Sequence, residues 1–255
     1  MIKVRNIYKS FSGTTVLENI SVTFEKGKTN LIIGRSGSGK TVLMKCIVGL
    51  HEVDKGSIFF DDRDFVAMDF KERKNLRREI GMLFQGSALF DSLNVEENVM
   101  FPLNMFTEMT LDEKRDRANS CLKRVNLEDV NRLYPGELSG GMKKRVAIAR
   151  AIVQNPKYLF CDEPNSGLDP ITALIIDDLI SEITHEYNIT TVVNTHDMNS
   201  VMEIGEKVVF IHEGHKGWEG SREAILDTED ENLNDFVFAS NFAKKIKALT
   251  TEKKD

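Results

Sequence analysis

The chain has 255 residues, 41% hydrophobic and 29% charged, enough for one large domain or two small ones and enough to bury about 70–75% of its unfolded surface. A net charge of −6 and a pI near 5.5 exclude the basic stripe of a nucleic-acid binder, so nucleic acid is not expected as a partner. No apolar run approaches the ~20 residues that span a bilayer, and no basic-then-apolar leader is present, so the expectation is a chain that begins at Met1 in the cytosol.

In chain order, residues 2–33 read as β-structure: Ile2-Lys3-Val4, Val16 to Phe24, and Thr29 to Ile33, with turn chemistry at Ser12-Gly13 and Lys26-Gly27. Gly34-Arg35-Ser36-Gly37-Ser38-Gly39-Lys40-Thr41 follows the third strand and leads into an apolar helix through Val48. Residues 57–60 and 80–84 are short apolar strands. Between them, residues 71–78 form a charge-rich helix, either a solvated face or a contact for a partner or lipid headgroup.

From about 87 to 136 strand signals vanish. Thr110 and Glu113 make a capping box, with Ala118, Cys121, Leu122 and Val125 at helical spacing behind it. The Met- and Phe-rich run around Pro102 is either the core of this insert or a partner surface. After 137 a helix runs from about 140 to 154 and stops at Asn155-Pro156. Tyr158 to Cys161 is a buried strand, and Pro170 opens a helix with Ile176, Leu179, Ile180 and Ile183 as its core stripe. Thr190 to Asn194 and Lys207 to Ile211 are expected as the last strands.

The expected organisation is an α/β core in two halves, residues 1–86 and 137–228, around a helical subdomain at 87–136. An amphipathic tail follows at 229–255, with Phe238, Phe242, Ile246 and Leu249 opposite Lys244, Lys245 and Lys247. That tail either docks on its own domain, reaches a neighbouring subunit or lies on a membrane surface. Cys46, Cys121 and Cys161 stand apart at apolar positions and read as small buried hydrophobes.

Four stretches carry chemistry. In residues 34–41 the glycines let successive N–H groups turn inward around a phosphate, and the helix opening at Lys40 presents its positive end to the same anion. Lys40 adds a charge for the β- and γ-phosphates and Thr41 a hydroxyl for Mg²⁺. With Gly at about 7% of residues, chance produces the pattern in roughly 1% of chains this long, so a bound nucleotide is expected. Second, Asp162 and Glu163 end a buried strand. Asp162 is placed to hold the Mg²⁺ shell and Glu163 to deprotonate an attacking water, provided the strand is already ending there. Third, Ser139-Gly140-Gly141 precede a helix and make a second anion cradle. One nucleotide rarely needs two, so the second is expected to serve the nucleotide of another copy in a head-to-tail pair. Fourth, His196 just past a strand is placed to sense the γ-phosphate.

The set, with Leu138-Ser139-Gly140-Gly141-Met142 as its most diagnostic part, resembles the ATP-binding cassette (ABC) ATPases over nearly the whole chain to about residue 225. The resemblance implies a P-loop NTPase of ABC type: a mostly parallel sheet with an antiparallel β part and an inserted helical subdomain. It also implies a homodimer hydrolysing Mg·ATP against an integral membrane permease, on the cytoplasmic face of the inner membrane. By position, it implies that Phe11 stacks on adenine and that Gly34, Arg35, Ser36, Gly37, Ser38, Gly39, Lys40 and Thr41 hold the phosphates. It makes Gln85 the residue reaching Mg²⁺ and the attacking water. Ser139, Gly140 and Gly141 close on the partner's ATP, Asp162 serves the metal, Glu163 is the catalytic base and His196 the switch histidine. Met142 departs from the family's usual Gln, and Phe11 from the commoner Tyr. The runs Phe84 to Val99 and Phe101-Pro102-Leu103 further resemble the ATPases of MCE-linked (Mla-type) phospholipid transporters, which implies lipid transport with the lipid handled by the complex. The alternatives are a solute importer, a lipoprotein-release ATPase or a non-transport ABC protein.

Overall fold

Thr29–Ile33 is buried at every position, as a strand covered on both faces must be, and alternate residues of this segment serve different cores. Leu31 and Ile33 join Leu159, Cys161 and Val193 on one side, while Ile32 joins Phe160, Val192 and Val209 on the other. The computed structural model describes residues 1–238. In chain order they form β1 (Ile2–Phe11), β2 (Thr14–Phe24), β3 (Thr29–Ile33), α1 (Lys40–Ile47), β4 (Lys55–Phe60), β5 (Arg63–Asp64), α2 (Phe70–Arg77) and β6 (Ile80–Leu83). There follow α3 (Val95–Phe106), α4 (Leu111–Arg124), α5 (Gly140–Ile152), β7 (Tyr158–Asp162), α6 (Pro170–Glu186), β8 (Thr190–Thr195) and α7 (Met198–Ile204). The last are β9 (Lys207–His212), β10 (His215–Gly220), α8 (Arg222–Leu226) and α9 (Glu231–Val237).

A six-stranded sheet has the order β10-β9-β3-β8-β7-β6, parallel throughout except for β10. A separate antiparallel sheet, β2-β1-β4-β5, packs with α1 on one face. Helices α3 to α6 pack on the other. The parallel register ends β3, β7 and β8 on one edge, with Asp162 opposite Asn194 and Ile33 opposite Thr195.

The helical stretch begins where Asn94 caps α3 through Glu97, and Thr110 caps α4 through Glu113; both are reciprocal capping boxes. Pro102 lies inside α3 rather than ending it. Gly81 on β6 marks a close approach of sheet and helix: a Cβ there would stand 2.3 Å from the Ala151 carbonyl oxygen of α5.

Some expectations need correction. The chain does not end its sheet at Ile211, because β10 pairs antiparallel with β9 across Glu213 and Gly214, both in the left-handed region. The polar segment His215–Gly220 forms this edge strand on backbone hydrogen bonds rather than on apolar burial. Strand β1 runs on to Phe11 rather than stopping at Val4, and α7, α8 and the short β5 were not expected. Of the predicted tail face, Phe238 is buried in the core on its own domain; Phe242, Ile246 and Leu249 lie outside the described residues.

A polar cluster ties the two sheets at the start of β7. Tyr158 at the start of β7 donates to Asp61 at 2.6 Å, and Arg63 forks onto Glu79 with two bonds of 2.8 Å. Tyr158→Phe removes the first link, between a buried phenol and an exposed carboxylate. It should cost about 1–2 kcal/mol in urea unfolding, with an unchanged m-value.

Candidate nucleotide-hydrolysis site

The phosphate loop is built by close contact. Gly34 has φ 148° and packs so tightly that a Cβ would lie 2.2 Å from the Ile211 carbonyl oxygen; at Gly39, φ 106°, it would meet Leu17 at 2.8 Å. Only glycine fits both positions. The loop turns Lys40 back across itself, where its ammonium donates to the carbonyl oxygens of Gly34 at 2.8 Å and Arg35 at 3.0 Å. Burial pushes the Lys40 pKa down, against the nearby charges of Glu163 and Asp162. The buried Ser38 hydroxyl has no hydrogen-bond partner and packs beside Gly34, away from the lining of the cavity.

Asp162 Oδ1 accepts from the Thr41 hydroxyl at 3.2 Å and from the Asn194 amide at 3.0 Å. The next residue leaves the strand. Glu163 takes φ 50°, and its N–H donates to the Asn194 carbonyl at 3.0 Å. This turn gives two adjacent carboxylates to one crevice, which a continuing strand would have sent to opposite faces. Glu163 Oε2 lies 2.6 Å from His196 Nδ1. An all-oxygen donor pair of one hydroxyl and one carboxylate, Thr41 and Asp162, suits Mg²⁺, which takes few protein ligands and completes its shell with water and phosphate.

A cavity of about 540 Å³ is lined by Arg35, Ser36, Gly37, Gly39, Lys40, Thr41, Gln85, Glu163 and His196, together with Val16 and Phe236. The structure therefore brings residues 35–41, Gln85, Asp162, Glu163 and His196 together. It does not bring Phe11 to that wall: the ring stands edge-on to His51 at 5.2 Å, with the Lys9 ammonium 5.1 Å from its centroid. Nor does it bring in Ser139, Gly140 and Gly141, which line a separate cavity with Gly167, Leu168 and Asp169. Ser139 caps α5, accepting from the Met142 N–H at 3.2 Å. Met142 itself packs against the apolar core.

Sequence reasoning missed Asn194 as the partner of Asp162, and Phe236 on α9, whose ring centroid lies 5.5 Å from that of Phe210 and closes one side of the cavity. It also missed a buried polar cluster behind the loop at 163–169. Asp177 on α6 is 1% exposed, and its Oδ1 has no partner. Asn165 donates to Ser200 at 3.0 Å. Burial pushes the Asp177 pKa up to about 6, against hydrogen bonds from Ser200 and Asn165, with Asp197 and Asp178 adding repulsion.

A phosphate loop, a strand-end carboxylate beside its Thr and a Glu–His pair on one crevice define a P-loop nucleotide hydrolase. Residues 17–166 match the ABC transporter family, and the chain belongs to it: its nucleotide is ATP with Mg²⁺, and its reaction ATP hydrolysis. The chain is 38% identical to the methionine import ATP-binding protein MetN of Campylobacter jejuni, over 95% of this chain and 77% of that one. It is 34% identical to the probable ribonucleotide transport ATP-binding protein mkl of Mycobacterium tuberculosis, over 92% and 66%. It thus spans about two thirds to three quarters of these relatives' lengths. Among solved structures, the dimeric cassette MJ0796 in a post-hydrolysis state with ADP and Pi matches at 33% identity and TM-score 0.80, over 87% of this chain and 99% of that one. The cbiO1 subunit of Clostridium perfringens, part of the transporter complex cbiONQ, matches at 30% and 0.83, over 98% of each.

The raised Asp177 pKa has a definite sign. Between about pH 4 and 6 the folded chain keeps a proton that the unfolded chain has released, so stability falls as pH rises through that window, and the penalty is complete above it. Asp177→Asn should therefore be the more stable protein at pH 7, by about 1–3 kcal/mol, and the difference should shrink toward pH 4 in paired urea melts.

Proposed function

We propose that this chain is the energy-coupling subunit of a membrane transporter, working as a pair of copies that sandwich two ATP molecules against a permease. What carries the reading is the separation of the two anion cradles. The wall at residues 35–41 and the cap at Ser139–Gly141 belong to different cavities of one chain, so a second copy is the natural source of the missing side. The dimeric state of MJ0796 supports it.

In this reading Lys40 and the N–H groups of 35–41 hold the phosphates, and Mg²⁺ at Thr41 and Asp162 neutralises phosphate charge when bound. Glu163 accepts the proton of the attacking water, Gln85 helps orient that water, and His196 holds the Glu163 carboxylate and reports on the γ-phosphate. Phe11, 39% exposed and outside that wall, is kept as the stacking face for adenine on the family resemblance alone. The permease is assigned to a second groove of about 400 Å³, lined by Arg77, Met82, Phe84, Phe90, Phe101 and Phe106 among others; an apolar, aromatic wall suits an amphipathic segment of a membrane protein. Among the described residues no helix is long and apolar enough to cross a membrane, so attachment to the cytoplasmic face through the permease is part of the proposal.

Two readings of the cargo stand. The names of the relatives, methionine import for MetN foremost, favour a small-solute importer. The phospholipid reading rests on the resemblance of residues 84–103, several of which line the groove.

Glu163→Gln should still bind ATP, accumulate as an ATP-bound dimer on size exclusion and lose at least ~10²-fold in turnover; normal turnover would remove Glu163 as base. Ser139→Arg should abolish hydrolysis while the monomer's ATP affinity stays within about twofold, a margin of ~0.4 kcal/mol, and a monomer that no longer binds ATP would refute the cross-subunit role. For cargo, the permease that co-purifies with the chain should be reconstituted with it. Stimulation of its ATPase by methionine supports solute import, and stimulation by phospholipid supports the lipid reading.

A further inference from the structure

Lys144 lies on the buried side of α5 and is 4% exposed. A buried ammonium is costly unless its donors are satisfied, and here two acceptors are main-chain oxygens of the nucleotide site. Its Nζ donates to the Gln85 carbonyl oxygen in a short bond, and to the Glu163 carbonyl oxygen at 3.3 Å. Both are backbone groups, so the contact fixes the path of each loop rather than the charge of either side chain.

The Glu163 contact matters most. A non-glycine residue at φ 50° is strained by roughly 1–3 kcal/mol and persists only where its surroundings hold it. The Glu163 N–H is held by the Asn194 carbonyl on one side, and the Glu163 carbonyl is held by Lys144 on the other. The peptide groups flanking the Glu163 Cα are thus clamped, one by the sheet and one by α5. The same ammonium grips Gln85, where the chain leaves β6. Helix α5 also begins at Ser139, five residues and about 7.5 Å before Lys144 along the axis. One rigid helix therefore carries the cap assigned to the partner's nucleotide and the clamp on this chain's own hydrolytic loops.

We infer that Lys144 is a positioning residue for ATP hydrolysis, through which the seating of Ser139–Gly141 on a neighbouring copy's nucleotide sets the geometry of Gln85 and Glu163 in this copy. The inference rests on the proposed head-to-tail pair and on Glu163 as base, and neither phosphate-loop binding nor closure itself requires it.

The test uses the full chain and five proteins: wild type, Glu163→Gln, Lys144→Met, Lys144→Arg, and the Lys144→Met, Glu163→Gln double variant. Methionine keeps the length of the buried stem but donates no hydrogen bond. Lys144→Met should lower kcat at least tenfold with the monomer's ATP affinity unchanged. The double variant should still form the ATP-bound dimer, and Lys144→Arg, which keeps two donors, should recover most of the lost rate. A Lys144→Met protein with kcat within twofold of wild type overturns the inference and leaves the base assignment standing. A double variant that no longer dimerises, or ATP affinity falling in step with kcat, makes Lys144 a plain structural residue and overturns it too. Undiminished turnover in Glu163→Gln alone would instead sink the underlying site reading. If Lys144→Met does not fold, Lys144→Leu, which also donates no hydrogen bond, is judged by the same readouts.

Discussion

One carboxylate oxygen organises this molecule. Asp162 Oδ1 accepts from Thr41, at the start of the helix behind the phosphate loop, and from Asn194, on the neighbouring strand. Those two bonds draw together the C-terminal edge of a parallel sheet and the N-terminus of α1, which is where α/β sheets bind ligands. Once Asp162 is fixed, the chain cannot continue as strand without burying Glu163. The left-handed turn at Glu163 releases it into the crevice, where His196 meets it.

Much of this was legible in the residues. Gly34 and Gly39 are required by contact as well as by conformation and Gly37 by its positive φ alone, and their spacing announces the loop. Capping boxes at Thr110 and Pro170 at the first turn of α6 placed helix starts correctly, because those signals act within a few residues. The Asp162-Glu163 pair could be assigned one crevice only on the condition that the strand stops there, and β7 does stop at Asp162.

What escaped the sequence depends on distant residues. Asn194 reads as one more strand residue until the register sets it opposite Asp162. Lys144 reads as a solvated helix cation in a run with Lys143 and Arg145; only the fold turns it inward to two carbonyls fifty-nine and nineteen positions away. Strand β10 has no apolar alternation to announce it. Phe236 looked like part of an amphipathic tail, yet its ring lies against Phe210 and the nucleotide cavity.

The bare contact between Gly81 and the Ala151 carbonyl has a mechanical meaning. With no side chain between strand and helix, the far end of α5 is seated directly on β6 and has no soft layer on which to slide. Any tilt of the helix about that seat would grow in amplitude along its length. From Ala151 to Ser139 the lever is about 18 Å long, so a tilt of about 10° carries the cap through about 3 Å, a full hydrogen-bond length. A methyl group at Gly81 would meet the Ala151 carbonyl oxygen and force strand and helix apart at that seat, without touching the nucleotide site.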